Sequence, residues 1–421
     1  MKKLRESMDG THGRLLMLTI LLGVLVGLFC AAFSTLWHLA DHAFWAEVTQ
    51  PWMRIVVSVV AGLVIGIILQ VTFDPGTMAT IIRHFHDHGR LPLRDNKPIL
   101  PASFIGLIAG QSAGPEGALT QAGGSLGTWL ADRTGNPQLA RLLTLAGMGA
   151  GFGAFLGAPV GGALLWLEML HRRSLEYYEA IIPTIVASCV GYVVMATVTG
   201  TNMIPPWHLA DVQALSRWDL LTAVAVGMAC VPFVKVYIWL FHGIRRLLAH
   251  VPMPIIARCT LAGLIIGLLG YFFPLSYFYG GAQMHDLLVT SLPVTLLIGT
   301  LLAKMVAASV TIRGHWQGGL IVPHIFMGAI VGKLICAAAP GLDPTITVLA
   351  CMAAFNAAAT QTPLASALIV IALTSSGNPV PIFLASVAGY VVGQNLTLID
   401  NKQSRTESHN FHLVGNQGGE A

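Results

Sequence analysis

Apolar residues run through this chain in long blocks, with the charged residues pushed to the block ends. Residues 15–40, 55–73, 98–115, 142–167, 180–210, 259–285 and 314–332 contain no Asp, Glu, Lys or Arg. Neither does a block of 56 residues from 344 to 399. A helix needs about 20 apolar residues to cross a bilayer, so the pattern predicts membrane-spanning helices. The last block is long enough for two or three passes. Gly and Pro recur inside the blocks, 45 and 22 of 421 residues, which points to helices that are tightly packed or broken. Well over ten helical segments are expected, several too short to cross. The block opening at Leu15 is too long for a cleaved leader, and many more follow it.

Composition narrows the class. Charged residues are 10% of the chain, against about 25% in a soluble globular protein, and mean hydropathy is +0.71. This excludes an ordinary water-soluble enzyme and a disordered chain. A net charge of +4 over 421 residues is no footprint for nucleic acid. The six cysteines (Cys30, Cys189, Cys230, Cys259, Cys336, Cys351) lie in apolar segments without a CxxC pair. They read as buried free thiols, and neither a metal site nor a cofactor is expected. Basic residues cluster at Lys2, Lys3, Arg5 and Arg14, at Arg172 and Arg173, at Arg245, Arg246 and Arg258, and at Lys402 and Arg405. By the positive-inside rule both termini are cytoplasmic and the chain is a multi-pass cell-membrane protein. Residues 1–13 and 401–421 form short tails around a membrane domain of residues 14–400.

The chain also resembles itself. A shift of 204 lays residues 144–165 (TLAGMGAGFGAFLGAPVGGALL) on residues 348–369 (VLACMAAFNAAATQTPLASALI), with eight of 22 positions identical. The same shift lays Gly114 on Gly318, and each opens a Gly-rich interruption. Two features at one offset imply two halves, about 14–200 and 215–400. Such halves pack as inverted repeats whose broken helices meet near the bilayer midplane. A break at membrane depth persists only where protein covers it or where it lines a wet cavity. A helix starting there aims free N–H groups and its positive dipole end into the cavity, an anion site that needs no basic side chain. Gly114-Pro115-Glu116-Gly117 and Gly318-Gly319-Leu320-Ile321-Val322-Pro323 both read as such starts, with Pro115 at a first helical position. Glu116 is the only acid between Asp95 and Asp132. An acid at that depth is a functional candidate, able to occupy the anion site itself.

At these residues the chain resembles the CLC family of chloride channels and chloride/proton antiporters. Gly114-Pro115-Glu116-Gly117-Ala118, followed by Gln121-Ala122-Gly123-Gly124-Ser125-Leu126-Gly127, is similar to the family's G-R/K-E-G-P and Q-x-G-G-x-x-G pattern. Gly318-Gly319-Leu320-Ile321-Val322-Pro323 is similar to its G-G-x-F-x-P. Gly157-Ala158-Pro159-Val160-Gly161-Gly162 with the later Glu168 is similar to its N-A-P-L-A-G…E segment. The resemblance implies an all-helical integral membrane protein of two inverted halves built from tilted and broken helices. It implies a homodimer in a lipid bilayer that transports chloride or a related inorganic anion, in some members against protons. It assigns gating to Glu116 and anion contacts to Gly117, Ala118, Leu320 and Ile321. Gly114, Pro115, Gly318, Gly319, Pro323 and the structural acid Glu168 support the pathway.

Departures are specific. Pro115 replaces the family's basic residue, Ala118 its Pro and Ile321 its pathway Phe. The family's G-S-G-I-P is absent. Asp74-Pro75-Gly76-Thr77-Met78 stands in its place, with Gly76 supporting the turn and Thr77 supplying the hydroxyl. The C-terminal pore tyrosine has no counterpart in Asn395-Leu396-Thr397-Leu398-Ile399-Asp400. Met169 occupies the position of the second, proton-handling acid, which favours a channel or a transporter with another proton route.

Weaker features take structural readings. His84-Phe85-His86-Asp87-His88, among Arg83, Arg90 and Arg94, reads as an exposed loop rather than a metal site. His171-Arg172-Arg173 and His315-Trp316 read as interfacial anchors. The glycines from Gly147 to Gly161 read as close helix packing. Two rivals are a secondary transporter for an organic anion and an intramembrane enzyme. The second needs a nucleophile or metal cluster at depth, and Ser112 has no partner His nearby in sequence.

Overall fold

The computed structural model describes residues 2–48, 50–136, 138–170, 178–210, 215–396 and 398. Sixteen α-helices and no named β-strand occur among them. The first eight are α1 (Lys2–Glu47), α2 (Met53–Val71), α3 (Met78–His88), α4 (Asn96–Ile108), α5 (Glu116–Thr134), α6 (Gln138–Leu156), α7 (Pro159–Met169) and α8 (Tyr178–Thr199). The next eight are α9 (Arg217–Ala249), α10 (Ile255–Phe272), α11 (Gln283–Val289), α12 (Val294–Arg313), α13 (Ile321–Ala338), α14 (Pro344–Thr360), α15 (Pro363–Thr374) and α16 (Pro379–Val392). Eight are long and apolar enough to cross a membrane. Others, such as the 12-residue α15, fall short. Arg172 and Arg173, with His171, lie outside the described residues, as do Lys402 and Arg405.

The distribution of polarity is that of a protein in lipid. Leu36, Leu39, Val60, Val193, Trp239 and Val391 are exposed on the outer helices, while Glu116, Lys304 and His324 are completely buried. The 204-residue shift carries Leu156, the end of α6, onto Thr360, the end of α14, and Pro159, the start of α7, onto Pro363, the start of α15. Packing repeats with it. α1 lies on α8 and α5 on α6, as α9 lies on α16 and α13 on α14. Equivalent helices also touch each other, α2 on α10 and α7 on α15.

Small residues set how close the helices come. A Cβ on Gly23 would stand 2.8 Å from the Ala187 carbonyl oxygen of α8, and one on Gly227, its equivalent, 2.7 Å from the Ala385 carbonyl oxygen of α16. In the Gly147–Gly161 run, a Cβ on Gly147 would stand 2.1 Å from the Gly123 carbonyl oxygen of α5. The run is close packing, as read from sequence.

Two readings are corrected. The His84–His88 stretch is part of α3, not a loop. Met78, Ile81, Ile82 and Phe85 recur at helical spacing, and Gly89 closes the helix in the left-handed region at φ +64°. His86 is buried, with Nε2 2.7 Å from the Leu170 carbonyl oxygen at the end of α7. His84 pairs with Asp95 at 3.6 Å. Trp316 is not an interfacial anchor either. It is 1% exposed, and its indole N–H donates to the Cys259 carbonyl at 3.0 Å.

Candidate functional site

Between α4 and α5, and again between α12 and α13, the chain leaves helical geometry inside the protein. Each interruption exposes backbone groups that need partners, and each finds them in the other. Gly114 N–H donates to the Gly319 carbonyl at 2.9 Å, and Gly319 N–H donates back to the Gly114 carbonyl at 2.8 Å. The result is an isolated antiparallel bridge. Gln111 Nε2 donates to the Gln317 carbonyl at 3.3 Å and Ser112 N–H to Thr311 Oγ1 at 3.3 Å. The two breaks, 204 residues apart in sequence, lie side by side, so α5 and α13 begin next to each other.

Pro115 is the N-cap of α5, one position earlier than expected, and Glu116 is the first helical residue. Leu320 is the N-cap of α13, which starts at Ile321, with Pro323 in its first turn. The Glu116 side chain crosses from its own helix to the other. Val322 N–H donates to its Oε1 at 3.3 Å, and the Gly319 and Ile321 N–H groups also face the carboxylate. Glu116 is 0% exposed. Oε2 has no hydrogen-bond partner among the described residues. Glycine is required at both breaks because this carboxylate fills the space. A Cβ would stand 2.3 Å from Oε2 on Gly114 and 2.7 Å from it on Gly319. Gly117 and Ala118 follow in the first turn of α5, both buried.

A third helix start joins them. Gly76, at φ +79°, turns the chain into α3, its N–H donating to Asp74 Oδ1 at 2.9 Å. Thr77 is the N-cap of α3 and makes no capping hydrogen bond through its side chain. Met78 Cε lies 3.7 Å from where a Gly117 Cβ would stand. Thr77 and Met78 share a cavity of about 250 Å³ with Gly318, Gly319, Leu320 and Ile321. Phe152, Met169, His324 and Leu398 complete part of the wall. Leu398 stands in the C-terminal segment where the resemblance expects a tyrosine.

Glu168 is placed differently. Its Oε1 accepts from Leu364 N–H at 3.1 Å and its Oε2 from Ala365 N–H at 2.8 Å. It therefore caps the N-terminus of α15, while the next residue, Met169, faces the cavity. A carboxylate is the favoured partner for those orphan donors.

Three constellations here were not read from sequence. Asp74 Oδ2 lies 2.7 Å from His315 Nδ1, and Arg258 Nη1 lies 3.1 Å from His315 Nε2. These tie the loop before α3 to the loop before α13. Lys304 donates to the Phe278 carbonyl at 2.5 Å and stands 5.0 Å from the Phe326 ring centroid. As the only charge between His285 and Arg313 apart from Asp286, it could have been singled out as an ionisable residue at depth. The third is a buried network around His324, whose only sequence signal is its place directly after Pro323.

With the geometry described, comparison with known proteins adds the lineage. The family model described as "Voltage gated chloride channel" matches residues 75–394. A "Chloride/fluoride channel protein" of Pseudomonas syringae pv. tomato is 28% identical over 392 residues, covering 87% of this chain and 82% of the relative. "Voltage-gated ClC-type chloride channel ClcB" of Salmonella typhimurium is 23% identical over 407 residues, covering 91% and 96%. Among solved structures, a CLC-type fluoride/proton antiporter superposes with TM-score 0.82 at 18% identity, covering 93% of this chain and 98% of that one. A slow cyanobacterial Cl-/H+ antiporter gives TM-score 0.78 at 21% identity, covering 91% and 94%.

Proposed function

The chain belongs to the voltage gated chloride channel family, and we propose that it transports a small inorganic anion, chloride or another halide, through a pathway closed by Glu116. One observation carries the gating role. The Glu116 carboxylate rests on the first N–H groups of α13, where a permeating anion would find its own stabilisation. Carboxylate and anion compete for the same donors. When Glu116 swings away or is protonated, the Ile321 and Val322 N–H groups become available, with Gly117 and Ala118 at the opposing tip. Thr77, at the start of α3, provides the next contact in the cavity beyond. Gly76, Gly114, Pro115, Gly318 and Pro323 shape the three helix starts, and Glu168 fixes α15 behind the cavity.

Proton-coupled exchange is a second mode of the same pathway, favoured by its likeness to two solved antiporters. The uncoupled mode is favoured by Met169 at the position of the second acid. The basic clusters orient both termini to the cytoplasm of a cell membrane, and the family resemblance extends to a homodimer.

The test is purified protein in liposomes loaded with chloride, fluoride or nitrate, with anion efflux and proton movement recorded together for wild type and Glu116→Gln. Hydrogen bonds to a charged group are worth about 1.5–3 kcal/mol. Releasing them is expected to change anion flux by about tenfold or more. Proton uptake tied to anion efflux in wild type, lost in the variant, identifies exchange. Absence of flux for every anion would overturn the reading.

A further inference from the structure

His324 sits in the first turns of α13, three residues beyond Ile321, and lines the same cavity. Its hydrogen bonds fix which ring nitrogen carries the proton. Ser366 Oγ donates to the Thr362 carbonyl at 2.6 Å, so it must accept from Asn356 Nδ2 at 2.8 Å. The amide oxygen of Asn356 is therefore turned to His324 Nδ1, 3.3 Å away. An amide oxygen only accepts, so Nδ1 bears the hydrogen. In the neutral ring Nε2 is then a lone-pair acceptor. It is buried without a hydrogen-bond partner among the described residues, in a side chain that is 0% exposed.

The second unpaired group is adjacent. The Tyr237 ring of α9 meets the His324 ring edge-on at 5.3 Å between centroids, and Tyr237 Oη is buried without a hydrogen-bond partner among the described residues. Along the same face of α9, Phe241 and Arg245 line the cavity, and Arg313, at the end of α12, stands 4.1 Å from the Phe241 ring centroid. Among the described residues, the charged and titratable groups near His324 are Tyr237 and Arg245 on α9 and Arg313 on α12, with Glu116 of α5 bonded two residues earlier, at Val322. Glu168 on α7 lies behind α15, and α14 presents the neutral Asn356.

We infer that His324 and Tyr237 form an anion site that fills only when Nε2 takes a proton, so that one proton and one small inorganic anion bind together. The inference rests on the chain being an anion transporter. An unprotonated Nε2 presents a lone pair and repels an anion. Protonation converts it to a second N–H donor beside the Tyr237 ring. A buried imidazolium is costly alone, and the anion provides its counter-charge. By linkage, each raises the affinity for the other by the same factor.

The test uses the full-length protein in micelles with ¹⁵N-labelled histidine, His324 being assigned by difference against His324→Gln. The neutral ring is expected as the Nδ1–H tautomer, and Asn356→Leu is expected to remove that preference. Saturating chloride, or fluoride in a second series, is expected to raise the proton affinity of His324 about tenfold, within the usual range for coupled sites. In liposomes, Glu116→Ala is expected to retain acid-stimulated flux, and Glu116→Ala/His324→Gln to lose it. An Nε2–H tautomer, or a titration indifferent to both anions, overturns the inference even where anion flux is intact. Anion-linked titration without flux supports the site and overturns the transport reading instead.

Discussion

α5 and α13 begin at Glu116 and Ile321, one residue off the 204-residue shift, yet only the first begins with an acid. The shift places Leu320 where Glu116 stands. It likewise places Ala372 where Glu168 stands. Both acids belong to the first half, and both reach N–H groups that open a second-half helix, α13 for Glu116 and α15 for Glu168. The helix packing, by contrast, treats the halves alike. The 204-residue shift thus relates two similar frames, one carrying the acids and the other the N–H groups that receive them. The two acids also differ from each other. Glu168 is held by two N–H groups through both oxygens, whereas Glu116 has one longer bond, 3.3 Å, and an Oε2 without a hydrogen-bond partner among the described residues. The same chemical device is a fixed joint in one place and, on the proposed gating role, a movable stopper in the other.

The sharpest contrast lies between removing one acid and removing the other. Glu168→Ala leaves the Leu364 and Ala365 N–H groups unpaired, the second of them buried, at a cost of about 1–3 kcal/mol. A clear fall in Tm is expected, with flux per folded molecule within about twofold of wild type. Glu116→Ala is expected to do the reverse, and thermal unfolding beside liposome flux separates the two. A stable Glu168→Ala with altered flux would erase the distinction. Next in size, Gly23→Ala and Gly227→Ala each drive a Cβ into the carbonyl of a facing helix. Overpacking of this kind costs about 1–3 kcal/mol, and denaturation should find the two losses similar. A large inequality would mean that the frames are not equivalent after all. The smallest effect concerns the stopper's own space. Gly319→Ala places a Cβ where Glu116 Oε2 now sits. Displacing the carboxylate is expected to raise flux about fivefold, a coupling of about 1 kcal/mol, and to do nothing in a Glu116→Ala background. The double-mutant cycle reads it directly.

Much of this was legible in the sequence because lipid imposes a harsh rule on polar groups. Charge-free blocks marked the helices, interruptions marked the helix starts, and Glu116 stood out as an acid where acids are rare. Contacts between distant residues were not legible. Nothing local says that Gly114 pairs with Gly319, that His315 finds Asp74 and Arg258, or that Glu168 reaches Leu364. Each depends on how whole helices pack. The α3 histidines misled because their alternation drew attention from Ile81, Ile82 and Phe85, whose spacing is helical. The His324 network escaped for another reason. His, Asn and Ser are ordinary residues singly, and their meaning arises only when three hydrogen bonds in series fix one tautomer.

The reciprocal pair of bonds between Gly114 and Gly319 constrains how such a pathway can open. It rivets the frames together at the narrowest point, immediately beside the stopper. Rocking one frame against the other would shear that rivet and strand four backbone groups away from water. Rotation about the χ angles of one glutamate disturbs none of them. On the proposed gating role of Glu116, traffic through this protein is governed by a turnstile set in a rigid wall, and its speed is that of a single swinging arm.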